Sequence, residues 1–213
     1  MMIKVCGMRE LDNIQELQQL DLDFMGLIRY PKSKRFVNHQ RKQEIGQLQM
    51  NKGTVGVYVN ESLENILKDI IPLQLDVIQL HGDEDVAFAK AILELDLKVF
   101  KAISMGTEMD MNRVKEWSNL GQRYPGKFFL LFDTATPEYG GSGKKFDWSL
   151  LADYNGKVPF LLSGGLSPDD VEAVKAFKNE MFLGVDLNSG FELAPGVKDI
   201  EAIKSFIKQV RDE

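Results

Sequence analysis

Short apolar runs recur along the chain, and each is followed by a stretch in which apolar residues return every three or four positions. The runs predict β-strands over residues 3–6, 24–28, 55–59, 77–80, 98–103, 128–132, 160–163 and 182–186. Within them apolar residues are consecutive, as in Phe128-Phe129-Leu130-Leu131-Phe132, where a strand with one wet face would alternate. Strands of this kind are buried on both faces, as in a parallel sheet covered by helices. The segments between them carry helix signals. Ser62 stands as a cap before Leu63, Ile66, Leu67 and Ile70, which share one face. Ser167-Pro168-Asp169-Asp170 sets a cap, a first-turn proline and two first-turn acids ahead of Val171, Val174 and Phe177. Ile200, Ile203, Phe206, Ile207 and Val210 form one stripe within a last helix over 199–210. The helix predicted over 38–50 has fewer apolar positions, the segment being rich in glutamine and lysine.

Eight strands alternating with eight helices leave about 27 residues per unit, the compact end for a closed (β/α)8 barrel. The predicted fold class is therefore α/β, a TIM barrel in which helices surround eight parallel strands. An open doubly wound sheet alternates too, so periodicity favours the barrel only modestly. No linker, low-complexity tract or composition break divides residues 1–213, which read as one domain.

Composition narrows the function classes. Hydrophobic residues at 44% and charged residues at 27% describe an ordinary globular protein. The longest apolar runs are about five residues, against the roughly 20 of a membrane helix. The start, Met-Met-Ile-Lys-Val-Cys-Gly, enters a strand pattern at once and lacks the features of a signal peptide. With one cysteine, which cannot form an internal disulfide, this makes a cytoplasmic protein the expectation. Two scattered histidines give no metal-ligand spacing. A net charge of −6 argues against nucleic-acid binding, while the run Pro31-Lys32-Ser33-Lys34-Arg35 leaves room for a small anion. No extended apolar stripe is left for a partner, so a monomer is expected.

In a barrel of this kind functional groups gather where strands end. Cys6 ends the first strand, where a cysteine is either an inert small hydrophobe or, with cationic neighbours, a thiolate base. Asp133 ends the sixth strand and Asp186 the eighth, each either a loop cap or a functional carboxyl; apolar surroundings would suit Asp133 to a general acid. His81 follows the fourth strand, with a supporting role preferred. Arg35 is either a solvated charge or a planar fork for a carboxylate. Gly164-Gly165 after the seventh strand and Ser189-Gly190 after the eighth lie in the loops where barrels of this class hold phosphate. Gly141, Ser142 and Gly143 sit in a long loop after the sixth strand, from Thr134 to Lys145, read as a lid.

Taken in order, these segments resemble the phosphoribosylanthranilate isomerase family. Lys4-Val5-Cys6-Gly7-Met8 is similar to its start, and Tyr30-Pro31-Lys32-Ser33-Lys34-Arg35 to its second loop. Val55-Gly56-Val57-Tyr58-Val59-Asn60, Gln79-Leu80-His81-Gly82, Gly140-Gly141-Ser142-Gly143-Lys144 and Ser163-Gly164-Gly165-Leu166 follow. Gly184-Val185-Asp186-Leu187-Asn188-Ser189-Gly190-Phe191-Glu192 closes the set. The resemblance implies an Amadori rearrangement of N-(5-phosphoribosyl)anthranilate in tryptophan biosynthesis, without cofactor or metal. It implies Cys6 as general base, Asp133 as general acid and Arg35 on the anthranilate carboxylate. Asp186 would orient substrate at the pocket edge, and the three glycine clusters would hold phosphate. Arg29, Asn188 and Thr134-Ala135-Thr136 depart from the family pattern; Arg29 is expected to add positive charge at the mouth, and Asn188 still to reach phosphate.

Other phosphosugar barrels fit less well. A ribulose-phosphate epimerase needs metal-binding histidines. Indole-glycerol-phosphate synthase uses a lysine and glutamates and carries an N-terminal extension. The dual-function isomerase of histidine and tryptophan synthesis uses paired aspartates. A non-catalytic binder of phosphorylated metabolites would tolerate loss of Cys6 or Asp133.

Overall fold

The structure is a computed structural model, which describes residues 1–107, 109–134, 146–151 and 154–211. The strands are β1 (Met2–Cys6), β2 (Phe24–Ile28), β3 (Gly53–Tyr58), β4 (Val77–Leu80), β5 (Lys98–Met105), β6 (Phe128–Thr134), β7 (Phe160–Leu162) and β8 (Phe182–Leu187). They run parallel in sequence order, and β8 pairs back onto β1, so the sheet closes into the predicted barrel and the open-sheet alternative falls. Around it lie α1 (Leu11–Leu17), α2 (His39–Ile45), α3 (Leu63–Ile70), α4 (Val86–Leu93), α5 (Met111–Gly121), α6 (Val171–Ala176) and α7 (Ile200–Arg211). No helix among the described residues is long and apolar enough to cross a membrane.

The consecutive apolar pattern has a simple cause. Val55, Val57, Val77, Phe100, Leu131 and Leu161 fill the barrel interior, while their neighbours Ile78, Val99, Leu130 and Leu162 pack outward under the helices. Both sides of every strand are therefore covered.

Several features depart from the sequence reading. Helix α2 stops at Ile45 instead of running to residue 50, because past its Asn38 cap only Ile45 is fully buried. Between β6 and β7 the described residues hold a 3-10 turn, Trp148–Leu151, in place of an eighth α-helix. After β8 a small antiparallel hairpin appears, β9 (Glu192–Ala194) and β10 (Val197–Lys198). Strands β5 and β6 also extend past their predicted ends, to Met105 and Thr134.

A β-bulge in the β7–β8 pairing positions the site. From Phe160 to Leu161 on β7, the partner on β8 advances from Phe182 to Gly184. The extra residue reverses the inward–outward phase. Leu183 packs inside the barrel, and three residues later Asp186, register partner of Lys4, is brought inside as well.

Candidate active site

At the C-terminal mouth the strands enclose an open cavity of about 690 Å³, mouth included, the size of a small-molecule site. Cys6, Arg35, His81, Asp133, Gly164, Gly165, Asp186 and Ser189 all line it. Gly190 does not: its bare Cα packs against the Leu166 carbonyl oxygen, letting the loops after β7 and β8 touch. Gly141, Ser142 and Gly143, with the rest of loop 135–145 read as a lid, lie outside the described residues.

Cys6 is 4% exposed and faces inward at the end of β1. Its partner on β2 is Gly26, where a Cβ would stand 2.8 Å from Sγ, so glycine there makes the room the thiol occupies. Two residues earlier on the same strand face, Lys4 is fully buried and donates to Asp186 Oδ2 at 2.8 Å. Burial works against charge on Lys4, yet the Asp186 carboxylate and the Cys6 side chain hold its pKa above the usual lysine value. Burial is also the largest influence on Cys6 and pushes its thiol up, with Lys4 and Lys198 pulling down and Asp186 pushing up. Alkylation of Cys6 by iodoacetamide is thus expected to be still climbing at about pH 9, past the ordinary cysteine value of about 8.5. A rate that levels off near neutrality would contradict this picture of the thiol.

The Lys4–Asp186 pair carries its own expectation. A raised lysine pKa contributes stability that is present below the ordinary value of about 10.4 and is lost as pH rises through the folded value. At pH 7 the lysine's contribution is fully present, while burial pushes the Asp186 carboxyl up and works against it. Lys4→Met strands a buried carboxylate and is expected to cost ~3–5 kcal/mol in urea unfolding, with Lys4→Met/Asp186→Leu recovering much of it. A single variant within about 1 kcal/mol of wild type would show that the pair does not matter to stability. Asp186 sits deeper than the pocket edge, and its Oδ1 is buried without a hydrogen-bond partner among the described residues.

Asp133 faces the cavity from the end of β6. Its Oδ1 accepts from the Thr134 backbone N–H at 2.8 Å, and its Oδ2 lies 3.3 Å from His81 Nε2. On the other side of the ring, His81 Nδ1 is 3.0 Å from the Gln79 side-chain amide, itself buried in the barrel. His81 is thereby held at both ring nitrogens. Gly164 must be glycine for two reasons: its φ is +84, and a Cβ would lie 2.7 Å from Asp133 Oδ1. The loop after β7 is in this way pressed against the acid. The backbone N–H groups of Gly164 and Gly165 find no acceptor among the described residues, so they are available to an anion.

Arg35 is neither a solvated charge nor an open fork. Its Nε donates to Glu192 Oε1 at 2.8 Å and Oε2 at 3.0 Å, and its Nη2 donates to Oε2 at 2.6 Å. Lys198 Nζ reaches Glu192 Oε1 at 2.7 Å and Asn188 Oδ1 at 2.9 Å. The Asn188 side-chain oxygen therefore accepts from a lysine in the chain. Arg29 does not add charge at the mouth: it pairs with Asp69 at 2.7 Å on the outer side of the barrel, in a separate cleft beside Tyr58 and Lys42. Sequence reasoning missed Lys4, Gln79, Glu192 and Lys198. Lys4 and Gln79 were legible as polar residues at inward positions of apolar strands; Glu192 and Lys198 depend on the hairpin.

Comparison with known proteins agrees with this architecture. The family model described as N-(5'phosphoribosyl)anthranilate (PRA) isomerase matches residues 3–209. The N-(5'-phosphoribosyl)anthranilate isomerase of Parabacteroides distasonis is 42% identical over 213 residues, covering 99% of this chain and 93% of the relative. A crystal structure of monomers generated from the dimeric phosphoribosylanthranilate isomerase of Thermotoga maritima superposes with a TM-score of 0.81 at 33% identity, over 99% of this chain and 98% of the other. A further isomerase structure, in complex with reduced 1-(o-carboxyphenylamino)-1-deoxyribulose 5-phosphate, gives a TM-score of 0.80 at 33% identity over the same shares.

Proposed function

This chain belongs to the N-(5'-phosphoribosyl)anthranilate isomerase family of tryptophan biosynthesis, and from that premise we propose that its barrel mouth isomerises phosphoribosylanthranilate with Cys6 as general base and Asp133 as general acid. The observation that carries the reading is the one cavity lined by Cys6, Asp133, Arg35 and the glycines after β7. Asp133 gives its proton to the ribose ring oxygen while the anthranilate nitrogen lone pair forms a C=N bond at C1, and the C1–O bond breaks. The iminium so formed acidifies the C2 hydrogen. The Cys6 thiolate removes that proton, and the electron pair moves to make C1=C2 as the iminium nitrogen is neutralised. Protonation at C1 and loss of the C2 hydroxyl proton then give the ketone. Atoms balance without a co-reactant, as in any isomerisation.

The environment of Cys6 suits the base step. A thiol pushed up by burial yields fewer thiolates but makes each a stronger base, and the cationic intermediate favours its charged form. The free Asp186 Oδ1 offers an acceptor for a sugar hydroxyl. The phosphate goes to Gly164, Gly165 and Ser189, with Gly141, Ser142 and Gly143 completing the grip and Gly190 spacing the two loops. The Arg35 Nη1 end, which has no partner among the described residues, meets the anthranilate carboxylate. A monomer built as one domain is the proposed working unit.

Turnover of freshly generated phosphoribosylanthranilate, followed by loss of anthranilate fluorescence, tests the reading; a folded protein that binds the reduced product but consumes no substrate would sink it. Arg35→Met is expected to raise KM by roughly 10- to 100-fold, the value of a charge-assisted hydrogen bond, and to leave kcat nearly unchanged. An unchanged KM would remove Arg35 from the substrate contacts.

A further inference from the structure

We propose that Glu192 is a positioning residue that, backed by Lys198, holds the Arg35 guanidinium edge-on so that only its Nη1 end is presented to the substrate carboxylate. The inference rests on Arg35 meeting that carboxylate, as argued above, and adds what makes the contact selective. Glu192 takes Nε and Nη2 of Arg35 in a fork of three contacts between 2.6 and 3.0 Å. It is itself held by Lys198 Nζ at 2.7 Å and by the Gly196 backbone N–H at 3.1 Å. Lys198 is fully buried and anchored on Asn188, and the Gly7 Cα packs against the Arg35 side chain from the other side. The carboxylate of Glu192 is thus fixed by donors on two sides, and Arg35 takes its plane from it.

Charge and position make opposite predictions for this site. If Glu192 merely competed with the substrate for Arg35, removing it would strengthen carboxylate binding. If Glu192 sets the plane of the fork, removing it would let a flexible side chain wander and weaken binding. Burial favours the second. The side chain of Glu192 is 5% exposed. Arg35 and Lys198 hold its carboxyl below the usual carboxylate range against the pull of that burial. A group held this firmly by the protein is not displaced by an incoming ligand, whereas the remaining Nη1 is open to one.

The test compares two probes, the reduced product analogue with its ring carboxylate and the same compound without it, by titration calorimetry. Wild type is expected to prefer the first. Glu192→Gln/Lys198→Met keeps the net charge around Arg35 at one positive, so a change in preference reports position and not charge. The expected result is a loss of preference by about tenfold or more, with affinity for the decarboxylated probe within about twofold of wild type. Turnover should then show a raised KM, while loss of the Lys198 charge near Cys6 bears separately on kcat. A double variant that keeps or increases the wild-type preference would overturn the proposal. Should that protein fail to bind the decarboxylated probe, Glu192→Asp replaces it: the charge stays, the reach shortens by one methylene, and the same loss in smaller measure is expected, with wild-type preference overturning the proposal. A wild type that does not distinguish the two probes would instead overturn the Arg35 contact itself, and the positioning role with it.

Discussion

Cys6→Ala is expected to lower kcat by about 10²- to 10⁴-fold, the usual value of a general base, while the protein still folds and binds the reduced product analogue. The reason lies in how the thiol is housed. It fills a space vacated by Gly26 and faces the cavity beside Lys4, so alanine removes the proton acceptor with little change in packing. Proton abstraction at C2 has no ready substitute there. The Asp186 oxygen left without a partner among the described residues belongs to a carboxylate already tied to Lys4, and a water standing in the place of Sγ is a far weaker base than a thiolate. The measurement is steady-state turnover across pH. The rise in rate that follows thiolate formation should vanish with the thiol, leaving a low, flatter profile. A variant that keeps within about tenfold of wild-type kcat would mean that Cys6 is the inert small hydrophobe that a lone cysteine often is.

Asp133→Asn is expected to be as costly, again by about 10²- to 10⁴-fold in kcat. Asparagine preserves the shape at the end of β6 and can still accept from the Thr134 backbone N–H, so the loop after β7 that presses on it through Gly164 should stay in place. What it cannot do is give a proton to the ring oxygen. Ring opening would then depend on water or on His81, whose Nε2 lies 3.3 Å from Asp133 Oδ2 and is held by the same short chain of contacts from Gln79. Residual activity carried by His81 would be abolished in Asp133→Asn/His81→Gln. Full activity in Asp133→Asn would remove the residue from the acid role.

The architecture was legible because its cause is repetitive. Each strand is apolar on consecutive residues, since one set faces the barrel interior and the other the helices, and eight such runs alternate with eight connecting segments. Strand ends were legible for the same reason: Cys6, His81 and Asp133 are the first chemically active groups after an inward apolar or polar series. Asp186 was legible as a strand end, but not how it comes to face inward. Simple alternation from Leu183 would turn it outward, and a one-residue bulge against β7 corrects the phase. Bulges answer to the closure of the whole barrel, not to local propensity. Local pattern leaves Arg35 either a solvated charge or a fork for a carboxylate; the carboxylate it grips in the fold is Glu192, 157 residues away. That contact depends on the hairpin after β8, whose strands of three and two residues are too short to leave a periodic trace. Arg29, expected at the mouth, is drawn to the outer side of the barrel by Asp69 on α3, a pairing between elements that no local pattern announces.

The proposed mechanism isomerises phosphoribosylanthranilate in one cavity by moving the C2 proton through Cys6. Its most direct test is turnover of substrate carrying hydrogen or deuterium at C2, by wild type and by Cys6→Ala, with binding of the reduced product analogue as the check on folding. The expected result is rapid consumption by wild type, slower with deuterium, and a rate lower by about 100-fold or more in a Cys6→Ala protein that binds the analogue normally. Equal turnover by the two proteins, or none by a wild type that binds the analogue, would contradict it.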